Sequence, residues 1–439
     1  MVMKNFESCC STELLTDPPS RAAHAARQII QTLLQGYQGK VAVRLWDERL
    51  AVGRGRAECT LHVRSPEVVK RLVVGHDLCT LVEDYLDGRL EVEGEFESLF
   101  DTARHFETLQ LSRRDKLRLF RLALKLPGPL LRFQAPAGRQ ENGCESITRH
   151  YDVGNDFYQF WLDPQMVYSC AYFADTNQSL EQAQRDKLDY ICRKLQLQPE
   201  QSLLDIGCGW GGLACWAARR YGVLVHGITL SEQQWRFANE KIKHEGLADR
   251  VTIELRDYRE LDGESVYDRI VSVGMFEHIG LANFPDYFGR IKRMLRPGGI
   301  FLNHGITSDQ PWGRSQLNRF INRYIFPDGE LTRISDVLDA MEQAGLEVVD
   351  VEGLRRHYAM TLRHWVSALE AQSAEVIAAV GVKTYRLWRL YMAGCAHYFD
   401  RGSIGIYQAQ AARQQDENYR QPLRRDYLYL PDRASVARE

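Results

Sequence analysis

Residues 203–212 read LLDIGCGWGG, where Gly207, Gly209, Gly211 and Gly212 crowd together directly after an apolar, strand-like run ending on Asp205 and Ile206. Glycine permits positive φ and lets backbone approach a ligand closely. The helical pattern that starts at Leu213 would present free N–H groups at its first turn. The spacing is GxGxGG rather than the GxGxxG of dinucleotide sites, and Asp205 precedes the first glycine. A pyrophosphate would be repelled by that carboxylate, whereas the ammonium group of S-adenosylmethionine would be oriented by it, directly or through water. S-adenosylmethionine is therefore the expected cofactor, against the alternative of a tight turn with no ligand. The next strand, VLVHGITL, ends near Thr229 without the acid that usually meets a ribose; Glu232 and Gln234, in the first turn of the following helix, are the two side chains placed to reach it. VTIELRDY ends on Asp257 and Tyr258, which puts a carboxylate where an adenine amino group can be accepted.

These residues need a scaffold, and the chain from about residue 150 supplies one. Short apolar strands are predicted at 202–206, 223–228, 251–255, 269–274 and 299–304, with later candidates at 346–353 and 404–410. Helical segments separate them. A helix is predicted over about 180–197, with Ser179 as N-cap, Gln182 at the capping-box position and an inner face of Leu180, Ala183, Leu188, Ile191 and Leu195. Strand–helix alternation implies a mainly parallel, Rossmann-like α/β sheet covered on both faces, with ligands at the carboxyl ends of its strands.

The 439 residues exceed one ordinary core, so two domains are expected. Residues 1–133 read as a small α+β domain: a helix over 20–36, a hairpin over 41–53, a strand over 59–65 and a helix with turn-marked segments over 66–110. This domain contains no cluster of catalytic residue types. At 113–126, Arg113, Arg114, Lys116, Arg118, Arg121 and Lys125 stand against one acid, Asp115, while Leu117, Phe120 and Leu124 share a helical face. Such a helix either lies in a membrane interface or packs its apolar face on its own domain. The glycine-rich stretch 134–147 reads as a linker and 148–439 as the second domain.

A net charge of −2 gives no global basic field, so no nucleic-acid partner is expected. No run approaches the ~18 apolar residues that span a bilayer. MVMKNFESCCSTELL lacks the layout of a signal peptide, and ten cysteines without a CxxC pair fit reduced thiols in the cytosol and no metal site.

Over about 148–411 the sequence resembles the cyclopropane-fatty-acyl-phospholipid synthase family, related to the mycolic-acid cyclopropane synthases, with a weaker match in the N-terminal domain. The resemblance is carried by HYDVGNDFYQFWLDPQMVYSCAYF (150–173), LLDIGCGWGG, GITLSEQQ, RDYREL, VSVGMFEHIG (271–280), FLNHGIT (301–307), NRYIFPDGEL (322–331) and the region of Tyr358. It implies a class I S-adenosylmethionine-dependent methyltransferase fold with a helical cap over about 310–400 and a lipid-associated N-terminal domain. The implied reaction adds the sulfonium methyl carbon to the cis double bond of a phospholipid acyl chain. A carbocation forms, loses a methyl proton to a bound bicarbonate ion and closes a cyclopropane ring. Matching positions set that ion against Cys170, Glu277, His304, the backbone of Ile306, and Tyr358. Tyr168 and Ser169 match positions at the cofactor's methionine end, and Tyr168 can make a cation–π contact with the sulfonium. Cys395, in YMAGCAHYF, matches a cysteine described as a nucleophile in the family, although methyl transfer to an alkene needs no covalent enzyme intermediate.

An anion beside the cation stabilises it and then takes its proton, and water must be kept out. Glu277 beside bicarbonate is a like-charge pair unless His304 is protonated or Glu277 keeps a proton; the sequence leaves this open. The aromatics Phe320, Tyr324, Phe326, Trp365, Trp388, Tyr391, Tyr398 and Phe399 form either an acyl tunnel or an ordinary core. The resemblance further implies a cytoplasmic enzyme at the inner membrane face, acting on a phospholipid bilayer, with a homodimer as one arrangement. Competing readings are a same-fold lipid enzyme giving a methyl-branched or methylene product, a generic small-molecule methyltransferase, and a lipid carrier with an inactive catalytic domain.

Overall fold

Ser20 opens the first helix, α1 (Arg21–Leu33), by accepting from the Ala23 N–H at 3.2 Å through its Oγ. The computed structural model describes residues 20–53, 57–75, 78–128, 154–308, 330–414 and 422–429. The chain divides into two compact units, Met1–Gln134 and Ala135–Glu439. The expected linker at 134–147 lies outside the described residues.

In the first unit, β1 (Val41–Arg44) and β2 (Leu50–Val52) form the expected hairpin, β3 (Cys59–Val63) runs parallel to β1, and β4 (Leu90–Gly94) runs antiparallel to β3. The sheet order is β2-β1-β3-β4. Helices α2 (Pro66–Gly75), α3 (Leu78–Leu86), α4 (Phe100–Thr108) and α5 (Arg113–Ala123) complete the unit. A capping box starts α5: Ser112 Oγ accepts from Asp115 N–H at 3.1 Å and the Asp115 carboxylate accepts from Ser112 N–H at 3.3 Å. The helix ends at Ala123, short of the predicted 126, and the chain continues as a turn. Buried Lys70 of α2 satisfies that end, donating to Leu126 O at 3.0 Å and to Gly128 O. The helix packs on α1 and α2, with Leu119, Leu122 and Ala123 buried.

The second unit begins with α6 (Asn155–Gln159) and α7 (Leu180–Lys194), the latter capped by Ser179 Oγ as its sequence predicts. The Rossmann-like repeat follows: β5 (Ser202–Ile206), α8 (Gly212–Tyr221), β6 (Leu224–Thr229), α9 (Glu232–His244), β7 (Val251–Leu255), β8 (Tyr267–Val273), α10 (Phe284–Met294) and β9 (Leu295–Ser308). Then come α11 (Ile334–Gln343), β10 (Glu347–Gly353), α12 (Arg355–Ala371), α13 (Ser373–Val380), α14 (Val382–Arg401) and β11 (Ile404–Ala412). Strand order is β10-β11-β9-β8-β5-β6-β7. The run from β9 to β7 is parallel, and β11 is antiparallel to both its neighbours. Alternate strand residues enter two cores: Leu203, Val225, Val271 and Leu302 on one face, Leu204, Ile228, Ile270 and Phe301 on the other. Winding reverses between β5 and β8, which opens a crevice at their carboxyl ends.

Two expectations need correcting. The strand predicted over 299–304 runs from Leu295 to Ser308, so His304 sits inside β9 rather than at its end, because β11 pairs along it from Ser308 to Ile300 and keeps it extended. The helical insertion is also narrower than 310–400. Helix α11 packs on α10, β10 and β11, and β10 joins the sheet, so the helical layer comprises α12 to α14. Phe320, Tyr324, Phe326, most of NRYIFPDGEL and the HYDV start of the 150–173 segment lie outside the described residues. Among the described residues no helix is long and apolar enough to cross a membrane.

Candidate active site

The glycine loop forms the floor of a cleft of about 750 Å³ at the strand ends, a size suited to a cofactor. Gly207 has φ 79°, and a Cβ there would press on Met275 at 3.1 Å. Gly209 has φ 56° with open space where a Cβ would go, so backbone conformation is its constraint. Trp210 braces the loop by donating from Nε1 to Asn155 Oδ1 at 2.8 Å, which gives the NDFYQFW motif of α6 a structural task. Tyr168, Ser169, Asp205, Gly207, Gly209, Thr229, Gln234, Asp257 and Tyr258 all line the cleft. Gly211 does not: its φ of 78° turns the chain into α8, and a Cβ there would meet Ile253 at 3.1 Å and Ala238 at 3.2 Å. Close helix–sheet packing is what requires glycine there.

The two side chains offered for the ribose are placed differently. Glu232 is exposed and pairs with Arg236 on the outer side of α9, whereas Gln234 is buried, lines the cleft and accepts from Thr229 Oγ1 at 2.8 Å. The Asp257 carboxylate is bound by Arg259, through N–H at 2.9 Å and Nη2 at 2.6 Å, and these bonds hold it below the usual carboxylate range despite its partial burial. Any adenine contact there shares the carboxylate with Arg259. Asp205 is 2% exposed, its Oδ2 has no hydrogen-bond partner, and burial raises its carboxyl to about 7. An unpartnered buried acceptor on a cleft wall fits the α-ammonium of S-adenosylmethionine.

Next to this cleft lies a second group of residues. Segment 170–173 is clamped to α12: Ala171 N–H donates to Thr361 Oγ1 at 3.0 Å and Phe173 N–H to His357 Nδ1 at 3.0 Å. This clamp brings Cys170 towards Tyr358. The hydroxyl of Tyr358 is held protonated, first by burial and then by its neighbours Tyr168, Cys170, Cys395 and Glu277. Tyr168 thus belongs to both groups. Glu277 stands on the turn after β8, and its Oε1 accepts from Ile306 N–H at 2.6 Å. The Ile306 amide, expected from the resemblance to face the ion through its backbone, is here tied to Glu277. A Cβ at Gly305 would lie 1.8 Å from Phe276 and 3.0 Å from Glu277 Oε1, so only glycine admits this turn against β9.

The protonation question left by the sequence has a direction. Burial raises Glu277 to about 7 and holds His304 far below its ordinary value, so both favour their neutral forms. Gln408 faces His304 Nδ1 through its amide nitrogen at 3.3 Å; with that amide donating, the ring proton sits on Nε2. Among the described residues His304 Nε2 and Glu277 Oε2 are buried without hydrogen-bond partners. In its protonated form Glu277 joins His304 and Tyr358 O–H as a neutral group, and such a set fits a small oxyanion. Cys170 donates to Ala171 O at 3.3 Å, and burial raises its thiol; Cys395 is pushed up to about 12 for the same reason. Neither is poised as a thiolate nucleophile. Tyr168, Trp161, Trp365 and Trp388 pack ring against ring, and Tyr358 adds an edge contact to Trp365 and a tilted one to Phe399. Among the described residues no cluster able to hold a metal ion occurs.

The sequence reading missed Lys187, Gly305 and Gln408. Lys187 carried a signal: it falls four residues after Ala183 on the inner face of α7. Gly305 and Gln408 carried none, since both depend on pairing distant in sequence.

The model of the mycolic acid cyclopropane synthetase family matches residues 139–409. A probable fatty acid methyltransferase of Pseudomonas putida is 40% identical over 404 residues, 90% of this chain and 98% of that protein. The cyclopropane-fatty-acyl-phospholipid synthase of Escherichia coli K12 is 37% identical over 363 residues, 82% of this chain and 89% of its own length. The crystal structure of mycolic acid cyclopropane synthase CmaA1 complexed with SAH and CTAB superposes with a TM-score of 0.59 at 34% identity, covering 61% of this chain and 98% of that one. By this match and these likenesses, this chain belongs to the mycolic acid cyclopropane synthetase family of S-adenosylmethionine-dependent methyltransferases.

Proposed function

We propose that this enzyme transfers the methyl carbon of S-adenosylmethionine to the cis double bond of an unsaturated phospholipid acyl chain and closes a cyclopropane ring. The observation that carries the reading is the pair of buried, unpartnered atoms, Glu277 Oε2 and His304 Nε2, beside an aromatic wall and next to the cofactor cleft. Bound in the cleft, the cofactor supplies an electrophilic methyl group. Tyr168 lines the cleft from the aromatic side and is placed to favour positive charge there. Trp161, Trp365 and Trp388 exclude water that would trap a carbocation as an alcohol. Glu277, His304 and Tyr358 would hold a bicarbonate ion, and that ion would supply the base for the final deprotonation. Glu277 keeps its own proton in this arrangement, which removes the like-charge conflict.

The phospholipid substrate implies a visit to a membrane from the cytoplasmic side. Helix α5 supports this: Leu117, Phe120 and Leu124 are 51%, 46% and 51% exposed, and the six basic residues around them are exposed too. The Pseudomonas putida relative, named a probable fatty acid methyltransferase, is alike over nearly the whole length of this chain and so supports a second reading, methyl transfer to a fatty acyl chain without ring closure. Lipids from a host without cyclopropane lipids, expressing this enzyme, should gain one methylene mass and show ring protons by NMR. A mass gain with branched-methyl signals and no ring signals would select the second reading.

A further inference from the structure

The cofactor cleft carries a buried cation to which the preceding reading gives no task. Lys187 of α7 is 1% exposed, yet it lines the cleft. Its Nζ donates to Ser169 Oγ at 2.7 Å, its one hydrogen bond among the described residues, which leaves two of its three protons unspent. Asp163, a nearby acid, is committed elsewhere: its carboxylate accepts from Gln165 N–H at 2.9 Å and Val167 N–H at 3.0 Å. Asp205, the other acid within electrostatic reach, has its own unpartnered oxygen. A buried ammonium without an ion-pair partner is unfavourable unless an anion reaches it. The cleft is the route by which one can.

We propose that Lys187 binds the α-carboxylate of S-adenosylmethionine, so that Lys187 and Asp205 together grip the two opposite charges of the cofactor's amino-acid end. This rests on the reading of the cleft as the cofactor site. The methionine tail is the cofactor's only segment with a carboxylate beside an ammonium, and the cleft wall offers the matching pair. Ser169, adjacent in sequence to both Tyr168 and Cys170, then takes its orientation from Lys187. Lys187 also lies within electrostatic reach of Cys170 and His304, but it lines the cofactor cleft and they do not, which makes the cofactor's carboxylate the better claimant for this cation. Burial lowers Lys187 to about 8, with Asp163 first among the groups that oppose the fall. An arriving carboxylate would secure its charge.

The test is calorimetric binding of three ligands to the full chain. S-adenosylhomocysteine has both charged groups, its decarboxylated analogue keeps only the amine, and 5′-methylthioadenosine has neither. In the wild type, removal of the carboxylate should weaken binding about ten- to a hundredfold. Lys187→Met should weaken S-adenosylhomocysteine by the same factor and leave methylthioadenosine within about twofold. Equal losses for both ligands would make Lys187 a structural residue and overturn the proposal. So would equal binding of S-adenosylhomocysteine and its decarboxylated analogue to the wild type, a comparison that holds even if the variant fails to fold. Failure of methylthioadenosine to bind the wild type would overturn the cofactor site itself, a different result from the other two.

Discussion

Burial acts on Glu277 and His304 with opposite sign on their charges and the same chemical outcome, two neutral donors. The distinction matters because Glu277 is the one carboxyl near the proposed anion that can exchange a proton close to pH 7. Glu277→Gln preserves shape and the acceptor for Ile306 N–H but cannot exchange that proton. Turnover should fall about a hundredfold, with S-adenosylhomocysteine affinity nearly unchanged. Lost cofactor binding with normal turnover per bound complex would refute the role. The same variant has a stability signature. Folded Glu277 holds its proton to about 7, while the unfolded chain releases it near the ordinary glutamate value. Between those limits the folded state binds more protons, so this group's contribution is present at low pH and is lost as pH rises through 7. The stability difference between wild type and Glu277→Gln, measured by denaturant unfolding, should therefore shift against the wild type between pH 5 and pH 8. A difference independent of pH would mean that Glu277 is ionised in the fold.

Elements show where sequence reading succeeds and where it stops. β5 and β7 are legible to the residue, since each is a short apolar run bounded by turn residues and paired with near neighbours in the chain. The ends of β9 are not, because they depend on β11, which follows about a hundred residues later and leaves no mark on local periodicity. The glycine loop is legible as a ligand floor, but the separate packing task of Gly211 is not, since Ile253 and Ala238 come from other elements. Gly305 shows the cost of such a long-range contact. Gly305→Ala sets a methyl against the Phe276 ring and should destabilise by about 1–3 kcal/mol, with lower turnover as the Glu277 turn is pushed away. Gly289, exposed in α10 with open space around its Cβ position, provides the contrast. Gly289→Ala should stabilise by about 0.5–1 kcal/mol through helix propensity and leave turnover alone. Denaturant unfolding of both variants checks the pair, and a tolerated Gly305→Ala would show that the turn can relax.

At the scale of the whole molecule, the candidate active site and the proposed membrane-docking helix fall on different units. The second unit contains the cofactor cleft and the buried donors, and the first contains α5 without any cluster of catalytic residue types. The sequence offered two fates for the apolar residues of that helix. The structure separates them: Leu119, Leu122 and Ala123 face inward, while Leu117, Phe120 and Leu124 remain on the surface among exposed arginines and lysines. Lys70 secures the carbonyls after the helix from inside, so the outer face is presented by a fixed element. A surface of this kind inserts its apolar side chains among acyl chains while its cations meet phosphates. Each basic residue near an anionic surface contributes roughly 1 kcal/mol, and salt screens it. Three charge reversals, Arg114→Glu, Arg118→Glu and Arg121→Glu, should lower affinity for anionic vesicles about a hundredfold or more at low salt. The wild type should lose binding as salt rises, and turnover on detergent-dispersed substrate should be largely kept by the triple variant, since its substitutions lie outside the catalytic unit. Replacing Leu117 and Phe120 with Ser should weaken binding even at high salt, because that contribution is apolar. Sedimentation with vesicles of stated anionic content measures all of these. Equal sedimentation of the wild type and the charge-reversed protein at low salt would place membrane docking on another surface.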